Sequence, residues 1–253
     1  MKKFMLWAST IALAGCCVHG TVQHPGPSLT FEEKLENQTI ALTYTDDDGD
    51  NLPFCSGVWI SANQILTANH CAEAAYFLNQ GKEPDEDVSV NPVGTIVNYI
   101  VRSDFNMKSP DDFPKKVRTG KVTAFDRAND LALIKVDTAT RPYAVDYARI
   151  VDNGRIPDGL KVNIVGHTVG YWWSYSVGYV SNTWLDIHGP DPIRMQTLQI
   201  SSPAWHGNSG GGAFDDEGNL VGVSSWITKQ GPNMTFFVHR DTIIKFLKTH
   251  KVL

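Results

Sequence analysis

The chain has 253 residues, 42% of them hydrophobic and 19% charged, with a formal net charge of -5. This composition is typical of a globular protein with one large domain or two smaller lobes, and it argues against disorder. The sequence has no dense run of Lys or Arg, which excludes the usual electrostatic signature of nucleic-acid binding, so we expect a protein or peptide as partner.

The N-terminus has the pattern of an export signal. Two lysines follow the initial methionine, and an apolar run extends from Phe4 to Ala14. This run is shorter than the roughly 20 residues of a membrane-spanning helix, so we interpret residues 1–15 as a signal peptide. Leu-Ala-Gly before Cys16 resembles a bacterial lipobox, which would place a lipid anchor on Cys16 and the protein at the cell envelope. Ordinary cleavage after Ala14, giving a secreted protein, is the alternative.

The rest of the chain divides into a tether and a strand-rich domain. Residues 16–37 contain prolines and polar residues without periodicity, which indicates a tether, and residues 38–253 are assigned to one domain. Residues 141–159 contain two prolines and two glycines, as expected of a connection between two lobes. Asp241 is predicted to cap a short C-terminal helix over about 241–250.

Regularly spaced short strands predict an all-β sandwich or barrel. Thr39 to Thr45 and Gly57 to Ser61 flank an acidic turn and form a predicted hairpin. The further predicted strands are Gly94 to Val101, Gly120 to Phe125, Leu131 to Val136, Lys161 to Val165, Val177 to Ser181, Arg194 to Ser201, Gly211 to Phe214, Leu220 to Trp226 and Thr235 to Val238.

Two cysteines, Cys55 and Cys71, lie outside the leader region. In an oxidising compartment such residues most simply pair, and the disulfide would stabilise the fold by about 3 kcal/mol. The alternative is a metal site built from both cysteines and His70, but this set lacks a fourth ligand at suitable spacing. Neither interpretation explains Cys17.

Three local motifs carry chemical groups. Ser209 lies in Gly-Asn-Ser-Gly-Gly, where the glycines allow a tight turn whose amides point into one space. His70 follows an apolar strand in Leu-Thr-Ala-Asn-His-Cys. Asp130 precedes the apolar strand Leu-Ala-Leu-Ile, where a buried carboxylate requires a partner, and an imidazole N–H would be one.

Together these three motifs resemble the signatures of trypsin-like (chymotrypsin-fold) serine proteases. The order His70, Asp130, Ser209 is that family's order and differs from those of subtilisin and the α/β-hydrolases. Asn208 departs from digestive trypsins, which carry there an Asp that pairs with a newly cut N-terminus, and the motif around Ser209 is closer to the bacterial and viral type.

The resemblance implies two six-stranded antiparallel barrels, over about 38–140 and 160–240. It implies a serine endopeptidase in which Ser209 is the nucleophile, His70 the general base, and Asp130 the residue that orients the imidazole. The amides of Gly207 and Ser209 would form the oxyanion hole. The mechanism needs no metal or organic cofactor.

Ser224, Ser225 and Trp226 resemble the strand that lines the substrate cleft in this family, and in that pattern Ser225 would contact Asp130. Trypsin has an acid where this chain has Pro203, and Ile227 stands where large pockets have Gly. We therefore expect a small or medium apolar residue before the scissile bond. Two alternatives stay open: a catalytically inactive binding module, and an esterase that uses the same triad.

Overall fold

The structure is a computed structural model that describes residues 29–85, 88–105, 114, 116–137, 146–188, 194–202, 206–227 and 234–253. The predicted signal peptide, Cys16 and Pro203 lie outside these ranges. Within them the chain forms twelve strands, three α-helices and two 3₁₀ turns of three residues. The strands are β1 (Thr39–Thr45), β2 (Asn51–Ser61), β3 (Gln64–Thr67), β4 (Ile96–Val101), β5 (Arg118–Asp126), β6 (Leu131–Val136), β7 (Lys161–Gly166), β8 (Ser174–His188), β9 (Arg194–Ser201), β10 (Gly212–Phe214), β11 (Leu220–Ile227) and β12 (Met234–His239); the helices are α1 (Phe31–Gln38), α2 (Asn69–Leu78) and α3 (Arg240–Thr249).

The strands form two closed barrels of six strands each. The first has the order β1-β2-β3-β6-β5-β4 and the second the order β10-β11-β12-β9-β8-β7. Neighbouring strands pair antiparallel, for example β3 with β6 and β12 with β9. Closure leaves no unpaired sheet edge, which gives every strand two hydrogen-bonding neighbours. The predicted all-β, two-barrel fold is confirmed.

Strand β6 shows why the sequence is continuously apolar near the interface of the barrels. Successive side chains on a strand point to opposite faces. Ala132 and Ile134 point into the core of the first barrel, whereas Leu131 and Leu133 join a cluster that also contains Val165 of the second barrel. Both faces of β6 are therefore buried, one in a barrel and the other between the barrels.

Helix α1 occupies Phe31–Gln38, so the C-terminal part of the predicted tether over residues 16–37 is helical, while residues 16–28 lie outside the described ranges. Thr30 and Glu33 form a capping box, in which each side chain accepts a hydrogen bond from the backbone N–H of the other residue. Leu35 is 1% exposed and belongs to the cluster between the barrels. A helix of eight residues has too few turns to show a clear period, and it is stabilised by packing rather than by its own propensity.

Two other details differ from the sequence analysis. Helix α2 was not predicted, and it begins immediately after the strand that leads to the His70 motif. The cap of α3 is His239, whose Nδ1 accepts a hydrogen bond from the Asp241 backbone N–H, so Asp241 lies in the first turn. No helix in the described ranges combines the length and apolar character needed to cross a membrane.

Candidate active site

His70 lies in the first turn of α2, where backbone N–H groups have no partner inside the helix. The His70 backbone N–H donates to Asp130 Oδ1 at 3.0 Å. The imidazole Nδ1 lies 2.9 Å from Oδ2 and 3.1 Å from Oδ1 of the same carboxylate. Because a carboxylate only accepts, Nδ1 carries the proton, and Nε2 is the nitrogen that can take one from elsewhere.

Asp130 occupies a backbone conformation that few side chains adopt. Its φ is 50°, in the left-handed region that Asp tolerates better than most residues. This turn sets the carboxylate at the start of β6, facing the N-terminus of α2. Burial by itself would raise the pKa of the Asp130 carboxyl, but the attraction and hydrogen bonds of His70 and the hydrogen bond of Ser225 outweigh it and lower the pKa.

Ser225 connects the two barrels at the site. Its Oγ donates to Asp130 Oδ2 at 2.5 Å, and its carbonyl oxygen accepts from Ser209 Oγ at 3.4 Å. Ser225 is 4% exposed, so this contact with Asp130, which the resemblance implied, is shielded from solvent. One residue of β11 thus touches both the orienting carboxylate and the candidate nucleophile.

The turn that carries Ser209 is held against the first barrel. The Ser209 carbonyl oxygen accepts from the Ser56 backbone N–H at 2.8 Å and lies 3.5 Å from Cys71 Sγ, next to His70 in the sequence. Gly210 has a φ of 83°, and a Cβ there would lie 2.2 Å from Thr67 Oγ1. Only glycine permits this approach of the two barrels.

Cys55 and Cys71, the cysteines among the described residues, are joined in a disulfide with a Cα–Cα distance of 6.0 Å. The candidate ligand atoms of these cysteines and His70 all lie within 4.8 Å of one another. A disulfide offers no thiolate, so this set does not provide the ligands that a structural metal ion requires.

The residues assigned to an oxyanion hole lie on the same turn. Gly207 is buried with a φ of 97°, and Ser209 is half-buried. Among the described residues, the backbone hydrogen bonds of this turn include none donated by the amide of Gly207 or of Ser209. Open N–H donors on a fixed turn are what stabilisation of a developing oxyanion requires.

The residues assigned to specificity are only partly described. Trp226 stacks on Phe236, with ring centroids 4.1 Å apart and planes 13° apart, which fixes one wall beside Ser225. The backbone of Ile227 ends β11, but its side chain, like the whole of Pro203, lies outside what is described. The expected preference for an apolar residue therefore stays a prediction.

Three residues that the sequence analysis did not single out contact this turn. Ser56 Oγ donates to the Gly207 carbonyl oxygen at 2.7 Å, and His167 Nδ1 lies 2.9 Å from the same Oγ. Thr168 Oγ1 donates to Asn208 Oδ1 at 2.8 Å. The only local signal was the position of Ser56 beside a predicted disulfide, because the contacts join residues far apart in the sequence.

This arrangement has the parts of covalent acyl transfer. A carboxylate orients an imidazole, and a serine lies on a neighbouring glycine turn. The amides of Gly207 and Ser209 on that turn donate to no backbone acceptor among the described residues. Two closed antiparallel barrels that contribute these parts to a common interface define the class of chymotrypsin-fold serine peptidases.

Comparison with known proteins supports this class. The family model described as trypsin-like peptidase domain matches residues 55–223. Protease Do-like 5 of Arabidopsis thaliana is 27% identical over 134 residues, and a probable periplasmic serine endoprotease of Brucella suis, described as DegP-like, is 32% identical over 134 residues. These alignments cover 51% of this chain in each case but only 41% and 25% of the two relatives.

Solved structures share the fold. The HtrA-type protease AlgW, determined with a tripeptide, has a TM-score of 0.63 at 18% identity and covers 87% of this chain and 63% of its own. A serine endoprotease from Yersinia pestis has a TM-score of 0.59 at 17% identity and covers 88% of this chain and 67% of its own. The chain belongs to the trypsin-like peptidase family, and its relatives lie among the HtrA and DegP proteins.

Proposed function

We propose that this chain is a serine endopeptidase with His70, Asp130 and Ser209 as its catalytic triad. The observation that carries the proposal is the continuous contact from His70 Nδ1 to Asp130, from Asp130 to Ser225, and from the Ser225 carbonyl to Ser209. This path crosses the interface of the barrels and connects the carboxylate, the imidazole and the serine, which supports their proposed roles in acyl transfer.

In this mechanism Ser209 Oγ attacks the carbonyl carbon of the scissile peptide bond, and His70 Nε2 accepts the hydroxyl proton. The amides of Gly207 and Ser209 bind the oxygen that becomes negative. His70 then gives the proton to the leaving amine, which leaves an ester on Ser209. Water activated by His70 hydrolyses this ester, and Asp130 stabilises the imidazolium at both stages.

The first test is labelling with a fluorophosphonate, which reacts only with an activated serine. Protein lacking residues 1–28 should label, whereas S209A and H70A should not. S181A, which removes the hydroxyl of Ser181 on the outside of β8, is the matched control and should label like the wild type. Folded wild type that fails to label would contradict the proposal and favour the inactive binding module.

Substrate class is tested by turnover. A peptidase should cleave casein as well as a simple acyl ester, whereas an esterase should hydrolyse the ester alone. We further propose a small or medium apolar residue before the scissile bond, supported by the absence of a trypsin-like acid at Pro203. A peptide-library profile dominated by Arg, Lys or Glu would contradict this preference.

We also propose that the protein is exported and tethered through Cys16. The leader pattern supports this, and one relative is described as a periplasmic endoprotease. Palmitate labelling of the full chain in a bacterial host, compared with C16A, tests the tether. Equal labelling of both proteins, or full-length protein found only in the soluble fraction, would contradict it.

A further inference from the structure

His167 is a buried histidine that the proposed reaction does not use. It follows β7 and is fully buried. Its ring packs edge-on against Trp173, with centroids 4.8 Å apart. Its Nδ1 lies 2.9 Å from Ser56 Oγ, whereas its Nε2 has no partner in the described part of the chain. A single polar contact therefore offsets the burial of this imidazole.

The direction of the hydrogen bonds follows from counting protons. Ser56 Oγ has one proton, and the Gly207 carbonyl at 2.7 Å can only accept it. Ser56 Oγ must then accept from His167, so Nδ1 carries the imidazole proton. Burial lowers the pKa of His167 to about 3, which keeps the ring neutral and the order of donors unchanged at neutral pH.

The residues that follow His167 hold the rest of the same turn. The Val169 N–H donates to the His206 carbonyl oxygen at 2.7 Å. In a trans peptide the C=O and N–H point in opposite directions, so this bond aims the Gly207 N–H away from Val169. Thr168 Oγ1 holds the Asn208 side chain at 2.8 Å. Thr168 and Val169 thus hold Asn208 and His206 directly, and His167 acts on Gly207 through Ser56.

We propose that Ser56 and His167 are positioning residues that fix the Gly207 carbonyl and thereby hold the oxyanion-binding amides ready before substrate arrives. This inference rests on the proposed function, because the amides of Gly207 and Ser209 matter only if an oxyanion forms. Ser56 and His167 act by positioning Gly207 and do not themselves contact the substrate. Asn208, where trypsins have their activating acid, is held within the same segment by Thr168.

Indole contacts connect this segment to the N-terminal helix. Trp173 Nε1 donates to the carbonyl oxygens of Glu36 and Thr39, at 3.0 and 3.2 Å. Its indole lies against the His167 ring and is 6% exposed. The end of α1 thus restrains the Trp173 indole, which packs against His167. This packing explains how a hydrogen-bond chain of neutral groups stays ordered.

The first test uses S56A, which removes only the hydroxyl and keeps the backbone bonds of Ser56. We expect kcat on an oxygen ester to fall about 10- to 100-fold with little change in KM, somewhat less than the loss caused by removing an oxyanion donor itself. T43V, which removes a buried hydroxyl without a partner in the described residues of β1, is the control and should keep wild-type kinetics.

A thionoester substrate separates oxyanion stabilisation from general damage. Its sulfur is a poor hydrogen-bond acceptor, so the oxyanion amides contribute little to its hydrolysis. S56A should then lose far less activity on the thionoester than on the matching oxygen ester. An equal loss on both substrates, or no loss on either, would overturn the assignment.

His167 is tested with two variants whose side chains have the same number of heavy atoms and the same branching. In H167N the amide N–H can replace Nδ1–H, whereas H167L leaves a similar cavity without a donor. We expect H167N to keep kcat within about threefold and H167L to lose about tenfold, because only the second leaves the Ser56 hydroxyl free to rotate. Equal kinetics of the two variants would show that His167 serves packing alone.

An NMR measurement tests the assignment even if the enzyme proposal fails. Long-range nitrogen–proton spectra of the leader-free wild type should show His167 as the Nδ1–H tautomer, and S56A should shift that signal and the Gly207 amide. An Nε2–H tautomer would overturn the assignment. Wild type that does not react with the fluorophosphonate but shows the expected tautomer would refute the peptidase proposal. The hydrogen-bond chain would then remain as a purely structural feature.

Discussion

The two barrels hold their halves of the site by different physical means. In the first barrel, His70 and Asp130 are joined by a charge-assisted contact at the N-terminus of a helix, at 2.9 Å. In the second, the turn around Ser209 is held by backbone hydrogen bonds and by two neutral side chains, His167 of the same barrel and Ser56 of the first barrel. The first half depends on charge and the second on volume and hydrogen-bond direction.

The proposed function gives a reason for this difference. In the proposed mechanism the imidazole changes its protonation state during turnover, so a neighbouring carboxylate that tolerates both states suits it. The oxyanion turn must stay the same throughout, and neutral groups whose protonation does not change suit that requirement. Substitutions that alter charge should therefore damage the first half most, and substitutions that add atoms should damage the second.

The largest effect on the charged half is expected from D130N. The amide keeps the shape of the carboxylate but presents an N–H to the imidazole, which favours the wrong tautomer of His70. We expect kcat/KM to fall about 10³- to 10⁴-fold in a protein that still folds. D216N, which neutralises a carboxylate 55% exposed on the second barrel, is the control. A loss below about tenfold for D130N would contradict the assigned role of Asp130.

The half of the site that depends on volume and hydrogen-bond direction is tested by comparing G210A with G218A. Both glycines have positive φ, but a Cβ on Gly210 would lie 2.2 Å from Thr67 Oγ1, whereas one on Gly218 would lie no closer than 3.7 Å to its neighbours. We expect G218A to lower the free energy of unfolding by about 1 kcal/mol and G210A by about 3 kcal/mol or more. Urea unfolding measures both free energies. Equal losses would show that the barrels can move apart at Gly210 without a loss of stability.

A smaller effect is expected from the pH dependence of stability. Burial lowers the pKa of His167 to about 3 in the folded state, whereas the unfolded chain takes up this proton below about pH 6.5. Stability is therefore lost as the pH falls from about 6.5 towards 3. Between about pH 7.5 and about pH 5, wild type should lose about 2 kcal/mol more than H167N.

Urea unfolding at both pH values measures this difference, and H167L should behave like H167N because neither side chain titrates. Parallel pH curves for wild type and both variants would mean that His167 takes up its proton in the folded state. Such a result would also remove the support that a permanently neutral His167 gives to the order of donors from His167 through Ser56 to the Gly207 carbonyl.

Much of the fold was readable from the sequence because barrel strands are short, regularly spaced and bounded by turn residues. The strand Leu131 to Val136 was predicted with the bounds that the structure has. Helix α1 was not predicted, because Leu35 anchors it only through a contact with the assembled barrels. Helix α2 was not predicted, because its apolar residues continue the pattern of the strand before it.

The same division holds at the site. The sequence by itself determined the residue types and order of His70, Asp130 and Ser209, since each occupies a local pattern of strand and turn. Only the tertiary structure decided that Ser56 meets His167, 111 residues away, and Gly207, 151 residues away. A buried polar group must find a partner, but its own neighbours in the sequence do not say which one. That choice is made when the two barrels close on each other and exclude water from the interface.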